Sequence, residues 1–230
     1  IARNGPATPQ DRWEEDAGLN AFTIGTCVAA LVCGAPFLDE PARSLALRLA
    51  DGWNARIEEW TSVRGTPFAR AHGIEAYYIR IAPPGDGDGD GDADGPLRRI
   101  LPIRNRACDP RIPAEEQVAT DFLQLVRLGL RDAHDPLVSD TVKLIDGQLR
   151  VQTPAGPAWH RYTGDGYGEP ADGSPFDGVG IGRAWPLLTG ERGHYELAAG
   201  RDPLPYLEAM GAMTGRCGLI PEQVWDTEPI

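Results

Sequence analysis

The sequence predicts an all-α fold in which pairs of helices are separated by long loops. Apolar residues recur at intervals of three and four through most of the chain, which is the period of a helix with one buried face. A strand-like pattern occurs only in the short run 76–81. The loops are long and hold most of the tryptophan, tyrosine and glycine outside one Asp/Gly run, which favours a functional role for them.

Two helices are predicted near the start. The stripe of the first, ending at Gly34, consists of Ala21, Ile24, Val28, Leu31 and Val32. Because the apolar stretch 21–38 contains threonines and cysteines and ends in Gly-Ala-Pro, we interpret it as a core helix and not as a membrane span. Asp39 can cap the second helix, with Pro41 in its first turn. The stripe of that helix, which we assign to the core, consists of Leu45, Leu49, Trp53, Ile57 and Trp60.

Four further helical patterns follow. The first, after Pro113, has a buried face formed by Val118, Phe122, Leu125, Val126 and Leu130. The second opens at Asp135-Pro136 and buries Val138, Val142, Ile145 and Leu149. A loop rich in glycine, proline and aromatic residues fills residues 152–183. Helical patterns then return at 191–199 and at 204–214, where Leu207, Met210 and Met213 form a stripe typical of core packing.

The run Gly85–Gly95 alternates aspartate with glycine. A calcium-binding loop of the EF-hand type needs glutamate at its twelfth position, and that position falls on Leu97 or Leu101. The run is therefore predicted to be a flexible, self-repelling surface loop. No cofactor or metal is expected from this chain, since the four histidines also lack metal-ligand spacing. Calcium elsewhere in a longer parent protein stays open.

Charge and cysteine content narrow the functional classes. A net charge of −12 argues against a nucleic-acid partner, which requires a basic surface. Cys27, Cys33, Cys108 and Cys217 form no Cys-x-x-Cys pair and are expected to be buried free thiols. We expect a soluble bacterial protein without a membrane partner, and both the cytoplasm and secretion stay open. The chain begins without methionine or a signal-type segment, which favours the back part of a longer protein.

Two acidic motifs, one near each end, stand beside tryptophans. Residues 10–15 read Gln-Asp-Arg-Trp-Glu-Glu, and residues 220–226 read Ile-Pro-Glu-Gln-Val-Trp-Asp. Around Glu222 no basic residue lies within five positions, which disfavours an ordinary solvated helix surface. Two carboxyl groups that face each other across aromatic walls are what acetal chemistry on a sugar needs.

Four motifs in order resemble glycoside hydrolase family 15, the family of bacterial glucoamylases and glucodextranases. They are the segments 5–15, 160–169 (His-Arg-Tyr-Thr-Gly-Asp-Gly-Tyr-Gly-Glu), 182–197 and 221–223 (Pro-Glu-Gln). The resemblance implies an (α/α)6 barrel of six helical hairpins. This chain would supply, as one partial domain over residues 1–230, about the second half of that barrel. The missing N-terminal half, and in some members a β-sandwich domain, would lie in the parent chain.

The resemblance also implies the role of each site residue in an inverting, exo-acting hydrolase of α-glucans. Glu14 matches the general acid and Glu222 the general base. Substrate-binding positions are Trp13, Glu15, Arg161, Tyr167, Trp185, Gln223 and Trp225. Glu14, beside a tryptophan and a second carboxylate, is expected to be buried and to resist ionisation. The tryptophans can offer flat faces to sugar C–H groups.

Alternatives stay open at this point. Glu15 could cap a helix that begins near Leu19, Arg161 could form a structural ion pair, and Trp225 could fill the barrel rim. The enzyme could act on α-1,6 links or on trehalose, or the chain could be a non-catalytic saccharide-binding helical toroid. By itself the fragment is expected to be inactive, because a half ring leaves apolar flanks exposed and lacks half of the sugar pocket.

Overall fold

The computed structural model describes residue 3, residues 5–83 and residues 96–227, and within these ranges the chain is mainly helical. The helices are α1 (Ala21–Gly34), α2 (Glu40–Asn54), α3 (Ile57–Thr61), α4 (Pro67–Ala71), α5 (Leu123–Arg127), α6 (Pro136–Gln148), α7 (Pro186–Ala198) and α8 (Leu204–Ala212). The strands are β1 (Ser62–Arg64), β2 (Ala76–Tyr78), β3 (Arg150–Thr153) and β4 (Gly156–Trp159). Because of these strands, the all-α prediction is only partly correct.

Helices α1 and α2 pack against each other, and they confirm the predicted end of α1 at Gly34 and the predicted cap of α2 at Asp39. The side chain of Asn20 caps α1 by accepting from the Thr23 N–H, and Asp39 caps α2 by accepting from Ala42. Helix α5 contacts both α1 and α7 and so connects the first helix pair to the last. The main core cluster therefore runs through the molecule from Ile24 on α1 to Leu188 on α7.

The predicted leucine ladder of α2 is partly wrong. Leu45 is 46% exposed, and the buried positions of α2 are Ala46, Ala50 and Trp53. The small alanine side chains on the buried face allow neighbouring helices to approach closely, whereas the Leu45 side chain faces solvent. The prediction of core tryptophans holds for Trp53, and Trp60 is half-buried against the same core.

The predicted apolar stripe of segment 114–130 is buried, except for the half-buried Leu130, but the segment is not one helix. Only a 3₁₀ turn at Ala114–Glu116 and the short α5 are helical. Between them the backbone bonds to distant segments: Gln117 O accepts from Arg80 N at 2.7 Å, and Val118 O accepts from Thr163 N at 3.0 Å. These long-range bonds replace the i→i−4 bonds of a helix, although the apolar spacing is helical.

Two antiparallel hairpins complete the fold, β1 with β2 and β3 with β4. The strand prediction for 76–81 is confirmed for Ala76–Tyr78. The second hairpin occupies the start of the predicted loop 152–183, so that the loop begins at residue 160 instead. Gly156 has φ +132°, and a Cβ there would lie 2.5 Å from the Cβ of Ala209. Only glycine lets this turn pack directly on α8.

The last helices match the predictions in part. Helix α6 begins after Asp135, whose side chain accepts from Leu137 N, and it buries the predicted stripe. Helix α7 begins at Pro186, five residues before the predicted start at Glu191. The predicted core stripe of α8 is wrong at Leu207, which is 65% exposed, because α8 turns Ala209 and not Leu207 toward β4 and α7.

Three smaller predictions concern cysteines, membranes and the Asp/Gly run. All four cysteines are free thiols, but only Cys27 is half-buried and the other three are exposed, so the prediction of buried thiols is wrong. Cys33 lies on the solvent side of α1, and Cys108 and Cys217 lie in turns. Among the described helices, none is long and apolar enough to cross a membrane. The run Gly85–Gly95 lies outside the described residues.

Candidate active site

The N-terminal loop (residues 8–18) turns so that its two adjacent glutamates point in opposite directions. One carboxylate oxygen of Asp11 accepts from the backbone N–H groups of Trp13 at 3.0 Å and Glu15 at 3.2 Å. Glu14 donates its own N–H to Asp11 O and has a left-handed backbone, with φ +62°. This conformation turns the Glu14 side chain outward, whereas Glu15 points inward.

Arg80 is a buried cation that holds the N-terminal loop. Its guanidinium is fully buried and pairs with Asp11 at 2.9 Å, Glu15 at 3.0 Å and Asp16 at 2.9 Å. Arg80 also lies over the ring of Tyr162, with Cζ 3.7 Å from the centroid. The sequence analysis missed this residue. Its signal was a lone arginine in the otherwise apolar and aromatic run 76–81, where an unpaired charge would be costly.

Glu15 accepts from four side chains, which matches the roughly four acceptor positions of a carboxylate. Oε1 accepts from Arg161 at 2.9 Å and Asn105 at 3.1 Å, and Oε2 accepts from Arg80 at 3.0 Å and from the Tyr162 hydroxyl. Burial raises the pKa of Glu15 above its ordinary value, although Arg161, Tyr162 and Arg80 favour the charged form. The alternative of a helix cap is wrong, because Asn20 caps α1.

Glu14 is exposed, so the expectation of burial is wrong. The left-handed turn removes its side chain from the protein interior, and it has no side-chain partner among the described residues. Glu14 lines a cavity of about 260 Å³ together with Glu15, Asp16, Pro102, Arg104, Asn105 and Gly178. Arg104, 69% exposed in its side chain, pairs there with Asp16 at 3.0 Å.

Aromatic rings form a continuous series across the site. The Trp13 and Trp185 rings meet edge to face at 5.2 Å, and Trp185 meets Tyr167 at 6.1 Å. The Arg161 guanidinium lies 5.1 Å from the Trp13 centroid and 4.8 Å from that of Tyr167. It also lies 5.7 Å from the Trp185 centroid, so Arg161 contacts three of the predicted substrate-binding aromatic rings.

Arg161 forms the structural ion pair that the sequence left open, and it also has a free edge. Its Nε and Nη2 groups donate to Asp165 at 2.7 and 2.6 Å, in a bidentate pair, and Nη2 also contacts Glu15. The Nη1 group has no acceptor among the described residues. Arg161 can therefore serve as a fixed donor to a hydroxyl group while its other donors keep it in place.

The C-terminal loop (residues 221–227) carries Glu222 at the surface. Glu222 is exposed, and Tyr167 lies close to it. Burial raises the pKa of Tyr167, and the nearby Glu222 acts in the same direction. The loop lines a cavity of about 640 Å³, whose lining is Tyr167, Gly168, Glu169, Gly173, Phe176, Pro221, Glu222, Gln223, Val224 and Trp225.

Asp226 attaches this loop to the rest of the molecule. Its carboxylate, 3% exposed, contacts His160 Nε2 at 2.7 Å and accepts from Arg183 Nη1 at 2.9 Å and from Ala184 N at 3.1 Å. Burial acts to raise the pKa of Asp226, but the bonds to His160 and Arg183 outweigh it and lower the pKa. The sequence motif included Asp226 without revealing this role, since all three partners lie more than 40 residues away in sequence.

Gln223 and Trp225, both predicted substrate-binding residues, also make contacts within the protein. The Gln223 amide donates to the backbone oxygen of Tyr167 at 3.1 Å. One face of the Trp225 ring is covered by Arg183, with Cζ 3.9 Å from the centroid. Both residues nevertheless line the larger cavity.

Glu14 and Glu222 line two different cavities. The ring series runs between the two cavities, since Trp13 is adjacent to Glu14 in sequence and Tyr167 lines the same cavity as Glu222. The two carboxylates are more than 200 residues apart in sequence, yet rings of the same aromatic series lie near each of them. That both carboxyl groups face one space stays a prediction.

A second buried charge cluster lies behind Trp13. Arg12 pairs with Glu191 at 2.8 Å and with Asp121 at 3.5 Å, and its Cζ lies 4.5 Å from the Trp13 centroid. Asp121 also accepts from Asn20 at 2.9 Å. Burial raises the pKa of Asp121 to about 6, despite the opposing charge of Arg12. Within the described ranges, no group of three or more side chains could hold a metal ion.

The chain is similar to two known proteins over nearly all of its length. A glucoamylase from Clostridium sp. (strain G0005) is 40% identical over 231 residues, which cover 98% of this chain and 31% of that protein. A crystal structure of a bacterial glucoamylase complexed with acarbose matches with a TM-score of 0.85 at 40% identity, over 98% of this chain and 32% of that one. The chain thus spans about a third of the length of both relatives. The model of the family described as "Glycosyl hydrolases family 15" matches residues 1–228, and the chain therefore belongs to that family.

Proposed function

We propose that this chain forms part of an inverting, exo-acting glycoside hydrolase that releases glucose from the non-reducing ends of α-glucans, of the glucan 1,4-α-glucosidase type. Glu14 is the general acid and Glu222 the general base. The observation that carries the proposal is the contrast between neighbouring carboxylates. Glu14 and Glu222 are exposed at cavities, whereas Glu15 and Asp226 are occupied by donors from the protein.

The acid role of Glu14 is supported by its direction and surroundings. A general acid must reach the oxygen of the departing sugar, and Glu14 projects into a cavity from a rigid turn. Glu15 cannot perform this role without giving up bonds to two arginines, a tyrosine and an asparagine. Glu15 instead holds the Arg161 guanidinium in place, and the unoccupied edge of Arg161 donates to a sugar hydroxyl group.

The base role of Glu222 is supported by its exposure and its place in the loop. A base that activates water needs access to solvent, and Glu222 is exposed at the larger cavity, which Tyr167 also lines. Trp13, Trp185 and Trp225 supply apolar faces for the pyranose ring. In an inverting pair the carboxyl groups stand roughly 6.5–9.5 Å apart, which leaves room for the attacking water.

The chain is proposed to form a fragment of an (α/α)6 barrel. The relatives are about three times as long as this chain, so the catalytic pocket is expected to need residues outside it. Residues 1–230 alone should release little glucose from maltose, because half of the sugar pocket would be absent. An isolated fragment that matched the rate of the full-length protein would contradict this part of the proposal.

The central test uses the full-length protein that contains these residues. Glu222→Gln and Glu14→Gln should each lower kcat on maltose by about 10²–10⁴-fold, the usual contribution of one acid or base. Glu15→Gln should raise KM as well as lower kcat. Glu208→Gln, on the exposed face of α8, is the matched control and should leave both constants unchanged.

Anomer detection in the same assay tests the stereochemistry, since inversion at an α-link releases β-glucose first. Release of α-glucose would contradict the inverting mechanism. Starch, dextran and trehalose as alternative substrates decide between α-1,4, α-1,6 and α,α-1,1 specificity. Saccharide binding without hydrolysis of any of them would instead favour the non-catalytic toroid.

A further inference from the structure

Asn105 lies where three loops meet. It belongs to the polar loop (residues 100–113), whose ends are joined by an isolated bridge between Ile100 and Pro113. Its amide nitrogen lies 3.1 Å from Glu15 Oε1 in the N-terminal loop, and also 3.1 Å from both the Tyr162 hydroxyl and Asp165 Oδ1 in the central loop (residues 160–183). One side chain thus contacts residues that are more than 145 positions apart in sequence.

The orientation of this amide is determined by its surroundings. Its Oδ1 atom accepts from Gly166 N at 2.8 Å, so the opposite edge of the amide must be the nitrogen. The backbone oxygen of Asn105 accepts from Gly180 N at 3.1 Å. A Cβ on Gly166 would lie 2.1 Å from that same oxygen, so glycine is needed for the central loop to approach this closely.

The flanking residues strengthen the contact. Arg104 donates to Asp16 at 3.0 Å in the N-terminal loop, and Arg106 donates to Gly164 O at 3.3 Å in the central loop. Three consecutive residues therefore bond to the two loops that carry Glu15 and Arg161. Asn105 and Glu15 also line the same cavity as Glu14, so this junction borders the space that a sugar would enter.

We propose that Asn105 is a positioning residue for sugar binding, which holds the central loop against the N-terminal loop so that Glu15 keeps Arg161 directed at the sugar ring. This inference rests on the proposed function. Asn105 acts through Glu15, Tyr162 and Asp165. Of the four residues that donate to Glu15, two are charged arginines, and the two neutral donors are Asn105 and the Tyr162 hydroxyl. A donor in this position joins two carboxylates that would otherwise repel each other.

The test compares Asn105→Ala with Asn105→Asp in the full-length protein, with maltose as substrate. The alanine variant should raise KM about tenfold and change kcat less, because a lost hydrogen bond to a charged group weakens ground state and transition state alike. The aspartate variant keeps the acceptor for Gly166 but places a carboxylate against Glu15 and Asp165. Its KM should be raised further at neutral pH and should fall toward that of the wild type as the pH is lowered and a shared proton restores a donor.

The matched controls are the same two exchanges at Asn54, which bonds to Arg131 away from all three loops. They should leave KM and its pH profile unchanged. If the wild type hydrolyses maltose but both Asn105 variants keep the wild-type KM, or if the aspartate variant shows no recovery at low pH beyond that of the alanine variant, the positioning role is wrong. If the wild type itself releases no glucose, the proposed function is wrong and this inference falls with it.

Discussion

The N-terminal and C-terminal loops each carry one proposed catalytic glutamate, and they are held in different ways. In the N-terminal loop, Asp11 and Asp16 surround the buried Arg80, and the turn that directs Glu14 outward is closed by Asp11. The C-terminal loop lies at the surface and depends on one carboxylate, Asp226, with three donors. The first arrangement joins three carboxylates through one shared buried cation, whereas the second fastens a short surface loop through one carboxylate. Damage to the first should therefore appear as lost stability and damage to the second as lost activity.

The largest expected effect is the replacement of Arg80 by methionine. It would leave Asp11, Glu15 and Asp16 without their shared buried cation, and breaking such a pair costs about 3–5 kcal/mol. Urea unfolding of the full-length protein measures this loss. Arg104→Met removes an exposed partner of Asp16 and should cost less than about 1 kcal/mol. Equal losses in the two variants would show that burial does not distinguish these arginines.

Asp226→Asn should lower kcat on maltose about 10–100-fold, with a smaller loss of stability than Arg80→Met. The amide keeps the shape of the side chain but puts a donor where His160, Arg183 and Ala184 already donate, so Glu222 would lose its fixed position. Steady-state kinetics and thermal unfolding, measured together, separate the two effects. Asp172→Asn, in an exposed turn, is the control. A loss of stability without loss of kcat would mean that this loop, too, belongs to the core.

Asp121 predicts how stability near the N-terminal loop responds to pH. Its pKa is raised to about 6 in the folded protein, so the folded state holds this proton more tightly than the unfolded state. The contribution is complete below the unfolded pKa of about 4 and is lost as the pH rises to about 6, by roughly 3 kcal/mol. Asp121→Asn should flatten the unfolding free energy across that window. An unchanged slope would assign the pH dependence to other groups.

The smallest effect is expected from deleting Gly85–Gly95 and joining the ends with a short turn. This run connects the segment of Arg80 with that of Arg104, and it consists of glycine, aspartate and one alanine, so its sequence offers no large apolar side chain to a core. Melting temperature and maltose hydrolysis should stay nearly unchanged. Calcium-dependent melting that the deletion abolishes would show that the run binds a metal and supports the N-terminal loop.

Helices with local signals were predictable from the sequence. The side chains of the caps Asn20, Asp39 and Asp135 accept hydrogen bonds from backbone N–H groups two or three residues later. The starts of α1, α2 and α6 therefore depend on neighbouring positions in the sequence. Segment 114–130 could not be predicted in this way, because Gln117 and Val118 bond to residues remote in sequence. Local periodicity reports which side chains are buried but not which backbone groups pair.

The site, too, has residues that local sequence motifs point to and residues that they do not. Motif resemblance gave Glu14, Glu15 and Glu222 as candidates, and their roles stay predictions. Burial of Glu14 was expected from its neighbours and is wrong, since a left-handed turn redirects the side chain. Arg80 and Asn105 belong to no motif, and their importance arises only when three or more segments converge on each. Roles that depend on several segments meeting at one residue can be recognised only from the three-dimensional structure.

The left-handed backbone of Glu14 has a consequence for how this protein can evolve or be engineered. A non-glycine residue in that region costs about 1–3 kcal/mol, so glycine at this position would stabilise the fold while removing the proposed acid. Selection for thermostability alone, without a screen for glucose release, would therefore favour loss of catalysis at this position. Under the proposed function, the strain at Glu14 is a stability–activity trade-off maintained by selection on the reaction.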